Sequence, residues 1–140
     1  MRKSLKMMGC IAITGLMLMV ACKKKTDEVA EAQKNLVGLW QYTDEVVDSN
    51  RNGIKDPNEY YNLDSLDTET ITFKADGTGD IEQIPLTWTM IDANRFKFSY
   101  VNSRGEPDTL DATIISSSRF DITVPPQSTD FSAWLVFKKK

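Results

Sequence analysis

Histidine is absent from the 140 residues, and cysteine occurs only twice, as Cys10 and Cys22. Without imidazole there is no Ser-His or Cys-His nucleophilic pair, no histidine-based zinc site and no imidazole acid–base chemistry. No glycine-rich phosphate loop is present either. Carboxylates are plentiful, but spacing alone does not make a hydrolytic pair of any two of them. Positive charge is also in deficit, with 17 Lys and Arg against 20 Asp and Glu. An acidic chain has no electrostatic reason to bind nucleic acid. The longest apolar run, Met7 to Ala21, carries Thr14 and falls short of the ~20 residues that a membrane-spanning helix needs. An enzyme is therefore not expected.

What is present begins with a basic start, Arg2, Lys3 and Lys6. The short apolar run follows and ends in the small residue Ala21. This is the pattern of a secretory signal peptide. Met19-Val20-Ala21-Cys22 resembles the lipobox of bacterial lipoproteins, with Met19 where that family prefers Leu. The resemblance implies cleavage before Cys22, diacylglyceryl transfer to its thiol and acylation of the new amino group, so that palmitate and related acyl chains hold the protein on the membrane. Residues 1–21 are then the signal peptide. If Cys22 carries lipid, no cysteine is left for a disulfide, and the domain must hold together by packing and backbone pairing.

Lys23 to Lys34 is charged and free of glycine. It reads as a flexible or partly helical tether, so that 22–35 forms the lipidated N-terminus and 36–140 the folded domain. Lys25-Thr26-Asp27-Glu28 resembles the basic-then-acidic signal that sends some bacterial lipoproteins to the cell surface. The expected location is the outer membrane, on its periplasmic side or at the cell surface.

From Leu36 the pattern is β. Short runs rich in β-branched and aromatic residues alternate with turn formers. Expected strands are Leu39–Tyr42 continuing into Val46–Val47, Thr70–Lys74, Gly79–Ile84 broken by Pro85, Leu86–Met90, Phe96–Tyr100, Leu110–Ile114, Phe120–Val124 and Trp134–Phe137. Turns are expected at Asp76-Gly77, Asp92–Asn94, Asn102–Pro107 and Pro125–Asp130. About eight antiparallel strands on ~100 residues favour a closed barrel, which removes exposed edges. A two-sheet sandwich is the alternative.

Gly38-Leu39-Trp40 resembles the G-x-W signature of lipocalins, whose tryptophan plugs the closed end of the barrel. Ile71 to Gly79 is similar to the F-x-x-DGTG hairpin in the lipocalin-like domains of Bacteroidota lipoproteins, and Trp88 fits the same pattern. The resemblance implies an eight-stranded lipocalin-like barrel and a ligand site inside it. Trp88, Phe96, Phe98, Tyr100 and Trp134 could line such a pocket, or they could be core.

Between the first two strands, Asp48 to Glu59 follows D-x-[DN]-x-[DN]-G, with acids again at the ninth and twelfth positions. Ca²⁺ takes six to eight oxygens at flexible geometry, and this spacing wraps short oxygen-bearing side chains around one point. Asp48, Asn50, Asn52, the Ile54 carbonyl, Asp56 and Glu59 are the candidate calcium ligands, with Arg51 and Lys55 expected to point outward. The competing reading is a polar loop of turn formers. The functional expectation is a lipid-anchored cell-envelope protein whose barrel binds a small apolar ligand or an envelope partner. The alternative is a cavity-free interaction module of an envelope or glycan-handling complex.

Overall fold

In the computed structural model, which describes residues 11–63, 69–124 and 132–140 with side chains from Lys24 on, one helix leads into nine antiparallel strands. These are α1 (Ile11–Leu36), β1 (Gly38–Val47), β2 (Tyr60–Asn62), β3 (Thr70–Phe73), β4 (Thr78–Ile81), β5 (Ile84–Met90), β6 (Arg95–Val101), β7 (Pro107–Ser116), β8 (Arg119–Val124) and β9 (Ala133–Lys139). The Pro125–Asp130 turn lies outside the described residues, as do residues 1–10 of the leader.

Strand β1 closes the structure. One edge pairs with β9, from Trp40 opposite Lys139 to Val47 opposite Ala133. The other edge pairs first with β3 and then with β2. The chain keeps its direction from β2 into β3. The Leu63 N–H donates to the Thr43 carbonyl at 3.1 Å, and the Tyr42 N–H donates to the Glu69 carbonyl at 2.9 Å. β2 and β3 therefore share one position beside β1, and the remaining strands follow as next-neighbour hairpins. The result is a closed, lipocalin-like antiparallel barrel of eight strands with β2 as the additional one. Closure pairs the edges that an open sheet would leave bare.

The strands differ from the expectation in three places: β2 is an added strand, β7 begins at Pro107 and runs to Ser116 rather than spanning Leu110–Ile114, and the third expected strand is cut short. Gly79–Ile84 does not run to Pro85. β4 stops at Ile81, the chain turns at Glu82 and Gln83 with φ of 48° and 77°, and Ile84 and Pro85 open β5. Two positive-φ residues make the tight hairpin that Asn-Gly usually marks. Pro85 is tolerated because β5 pairs with β6 only from Leu86 onward, so no ladder bond is lost where its N–H is missing.

Alternation on the strands gathers aromatic rings inside. Phe73 lies 5.3 to 5.9 Å, centroid to centroid, from Trp88, Phe96, Phe98 and Phe120. Phe120 stacks on Phe137 at 4.9 Å and meets Trp40 edge-on at the same distance. The Asp76-Gly77 turn is fastened from within. The Trp88 indole N–H is shared between the carbonyls of Lys74 and Thr78, at 3.1 and 3.0 Å.

The turns β3–β4, β5–β6 and β7–β8 gather at one end with α1. This end is plugged. Leu36 is buried, and the Trp40 indole donates to its carbonyl at 2.8 Å. Lys139 Nζ donates to the Asn35 carbonyl at 2.6 Å and stands 5.5 Å from the centre of the Trp40 ring. A cation on the last helical carbonyls is the favourable sign. The tether is helical through to Leu36, as its Ala, Glu, Gln and Lys content favours. Among the described residues no helix is long and apolar enough to cross a membrane.

At Thr43 the β1–β9 register slips by one residue: Tyr42 faces Phe137, but Asp44 faces Val136. A bulge of this kind moves the following side chains to the other face. Asp44 and Val46 thus share the outer surface with Val136 and Asp121, yet all four are buried. The β1–β2 loop lies over them as a flap.

Candidate functional site

The flap is built from the candidate calcium ligands, and its hydrogen bonds show how each is used. Asp48 is 4 % exposed; its two oxygens accept the N–H groups of Asn52 and Gly53 at 3.0 and 2.9 Å. Glu59 is 1 % exposed; its Oε1 accepts the Ser49 N–H and hydroxyl, both at 2.9 Å, and the Asn50 N–H at 3.3 Å. Asn50 and Asn52 accept the N–H two residues on, and both amide groups donate to Asp56 Oδ2, at 2.8 and 2.9 Å. Gly53 takes φ of 72°, the left-handed conformation that glycine adopts without strain. Ile54 is exposed.

The structure therefore brings Asn50, Asn52 and Asp56 to one point, while Asp48 and Glu59 hold the loop's own backbone. Among the described residues no three His, Cys, Asp or Glu side chains are grouped as a metal set. The oxygens at the meeting point come from one carboxylate and, if the amides turn, two asparagines. Lys55, expected to point outward, instead reaches in. Its Nζ sits 2.5 Å from Asp121 Oδ2 and 5.2 Å from the centre of the Trp134 ring. The reason is Asp121, which is 2 % exposed on β8 and would otherwise depend on Arg119 alone. Arg119 donates to both Asp121 oxygens at 2.8 Å and to the Tyr60 hydroxyl at 3.3 Å. The paired carboxylate pushes its guanidinium pKa further up.

The candidate pocket residues separate in the same way. Trp88, Phe96 and Phe98 are buried in the core, and Tyr100 packs at its margin. Trp134 is not with them. It pairs with Val46 and Thr123 on the outer surface, where Lys55 covers it. The alternation of β9 places Leu135 and Phe137 inside instead. The rings thus fill the closed half of the barrel.

Above them lies the open end, which composition did not single out. Ile81, Leu110 and Leu135 are half-buried there beside Tyr42 and Tyr100. Burial, with Glu45 and then Glu69 nearby, pushes the Tyr42 hydroxyl up to about 12. Burial and Asp108 raise Tyr100, whose hydroxyl donates to Asp108 Oδ2 at 3.3 Å. Both phenols are therefore neutral hydrogen-bond donors at physiological pH. Their joint dependence on Glu69, which precedes β3, was not legible without the barrel to bring β1, β3 and β6 together. Cys22 lies within the α1 backbone.

What this architecture defines is a lipocalin-like barrel with an aromatic interior, a plugged end and an outer flap. No family model matches the chain, and neither a curated protein nor a solved structure does.

Proposed function

We propose that this protein is a lipid-anchored envelope lipoprotein of the outer membrane, and that its barrel is a packed body which works through its surface. The observation that carries the second half is the ring cluster around Phe73. Four aromatic side chains within 6 Å of one ring occupy the space that a deep apolar ligand would need. The first half rests on the leader, Ala21-Cys22 and the helical tether that follows. Acyl chains contribute ~0.8 kcal/mol per buried CH₂, so a multiply acylated Cys22 would not leave the bilayer unaided. Native mass spectrometry of protein purified from its host membranes tests the packed-body reading. A stoichiometric protein partner is expected; a co-purifying hydrophobe in the barrel would overturn it. Replacement of Cys22 by Ser should abolish palmitate labelling, and unchanged labelling would remove the anchor.

A second reading has its own support. Ile81, Leu110, Leu135 and Tyr100 form a half-buried apolar rim at the open end, which suits a small apolar ligand held near the mouth. For the flap, the convergence of Asn50 and Asn52 on Asp56 favours weak calcium binding at that point, with both amides turned so that their oxygens leave the Asn52 and Ile54 N–H groups and face the ion. Asp48 and Glu59 would then stay with the backbone.

A further inference from the structure

We infer that the open end of the barrel is a binding site for a short amphiphilic amine, with the apolar body seated on Ile81, Leu110 and Leu135 and the cationic head among Glu45, Glu69 and Asp108. The inference rests on the second reading above, a ligand held near the mouth, and gives that ligand its chemistry.

The register of the ladders places the acids. Residues directly opposite in an antiparallel pair stand on one face of the sheet. Glu45 is opposite Leu135, which packs on the core, so Glu45 faces into the barrel. Asp108 is opposite Tyr100, another inward residue. The Tyr42 N–H donates to the Glu69 carbonyl at 2.9 Å, one step beyond the Gln41–Thr70 pair, so Glu69 shares the side of Tyr42. The phenols register the same proximity. Burial, then Glu45 and Glu69, raise Tyr42; burial, then Asp108 and Glu69, raise Tyr100.

Three inward carboxylates above an apolar interior call for a positive partner, and the described strands supply none. The ion pairs among the described residues are Lys55–Asp121, Arg119–Asp121, Arg95–Asp92 and Lys138–Asp44, so the three acids take no part in them. The inward base of these strands is Lys139, opposite Trp40, and it is engaged with the Asn35 carbonyl at the plugged end. Arg104 is exposed on the β6–β7 loop, beyond the ladder.

The arrangement suits an organic cation better than a metal ion. Among the described residues no three acidic side chains are grouped as a metal set, so these carboxylates stand around the mouth instead of meeting at a point. Apolar and aromatic surface lies between them. Ile81, Leu110 and Leu135 are half-buried, and Ile84 is 39 % exposed opposite Ile81. Tyr42 stacks on Phe137 at 5.3 Å and Tyr100 on Phe98 at 6.4 Å, which fixes both rings on the core. Such side chains take up an alkyl chain, while ring faces and carboxylates take up an ammonium group. The rings around Phe73 fill the barrel below, so the apolar body must be short.

The test uses residues 23–140, because the ladders, the plug and the flap all lie between Asn35 and Lys140. Isothermal titration calorimetry at pH 7 compares octylammonium, octanol and octanoate, which share one chain length. Octylammonium should bind at least about tenfold more tightly than octanol, and octanoate should not bind. The double variant E45Q/E69Q should lose about tenfold for octylammonium and leave octanol unchanged. D80N/D111N removes the same charge from the outer face, where Asp80 is opposite Thr72 and Asp111 opposite Lys97, and it should bind as the unmodified chain does. Thermal melting checks that both variants are folded, and the three-probe comparison stands on the unmodified chain in any case. Octanol or octanoate binding as tightly as octylammonium would overturn the amine and leave a ligand at the mouth. Binding of none of the three would overturn the mouth reading with it. Equal losses in the two double variants would assign the effect to net charge and overturn the site.

Discussion

Lys55 in the flap and Asp121 on β8 approach to 2.5 Å, and they join the β1–β2 loop to a strand two positions away from β1. This contact is what fastens the flap. Removing Lys55 leaves Asp121 with Arg119, so Lys55→Ala should cost about 1–2 kcal/mol. Asp121→Ala leaves two cations facing a site without a partner and should cost about 3–5 kcal/mol. Hydrogen exchange at the Asn52 and Gly53 amides should speed up in both variants while the barrel strands keep their protection. Uniform acceleration across all strands would mean that the flap and barrel open as one.

The plug makes a second prediction. Trp40→Phe keeps a ring but loses the indole donor to the Leu36 carbonyl, and about 1–3 kcal/mol of stability should go with it. Lys139→Ala removes the cation from the Asn35 carbonyl and should loosen the end of α1. Circular dichroism of residues 23–140 should then show less helix with unchanged strand content.

Gly79 on β4 tests the closeness of β3 and β4. A Cβ there would lie 2.0 Å from the Thr72 carbonyl oxygen and 3.1 Å from Leu86 Cδ1. Neither a backbone oxygen nor the neighbouring strand can withdraw without opening the ladder. Gly79→Ala should cost about 3 kcal/mol or more, read as a shift in the urea midpoint.

Asp44 gives the fold an acid limit. Burial by itself would raise its carboxyl, but hydrogen bonds from Lys138 and Thr43, together with the charges of Lys138 and Arg119, outweigh that and hold it below its ordinary value of 3.8. A carboxyl lowered by folding contributes stability above its unfolded pKa, and that contribution is lost as the pH falls through the folded one. Urea denaturation should therefore show an extra loss of stability below about pH 4, on the carboxylate scale. Asp44→Asn should be less stable at pH 7 and should flatten that acid limb. An unchanged limb would assign it to other carboxylates, such as Asp76 and Asp92, which are also lowered.

Calcium should raise the melting temperature if it enters where Asn50, Asn52 and Asp56 meet. At ten times a millimolar Kd the gain is about 1.4 kcal/mol. Asn52→Ala should remove the rise, read against the same variant in chelator because Asn52 Oδ1 also accepts the Ile54 N–H. Asp48→Ala and Glu59→Ala are poor tests, because those side chains hold backbone N–H groups whether or not an ion is present. Identical melting in calcium and in chelator would leave the flap a purely hydrogen-bonded structure.

Much of the barrel was legible because alternation is a direct record of two-sidedness. Leu86, Trp88 and Met90, or Phe96, Phe98 and Tyr100, announce a strand with one buried face. The G-x-W and DGTG segments were equally readable, and both are anchored by tryptophan N–H groups. Other features left no such record. Glu82 and Gln83 carry no turn signature, so the hairpin at Ile81–Ile84 was hidden behind Pro85. β2 is three exposed residues with no alternation to mark them, paired to β1 and touched by Arg119 at Tyr60. The candidate metal loop was readable as a spacing but not as a structure. The same Asp and Glu positions that could face a cation can face amide protons, and the path of the folded loop decides which they do. Lys55 and Asp121 are 66 residues apart, and no local pattern couples them.

The slip at Thr43 has a consequence of its own. A single extra residue hands the first half of β1 to one interior and the second half to another, separated by the thickness of a strand. Changes at Trp40 or Tyr42 are felt by the aromatic cluster, whereas changes at Asp44 or Val46 are felt by the covering loop. The protein can thus alter its outward-facing cover without disturbing the body beneath, and a shortened loop at this point would have to restore the parity of β1 before the barrel could close.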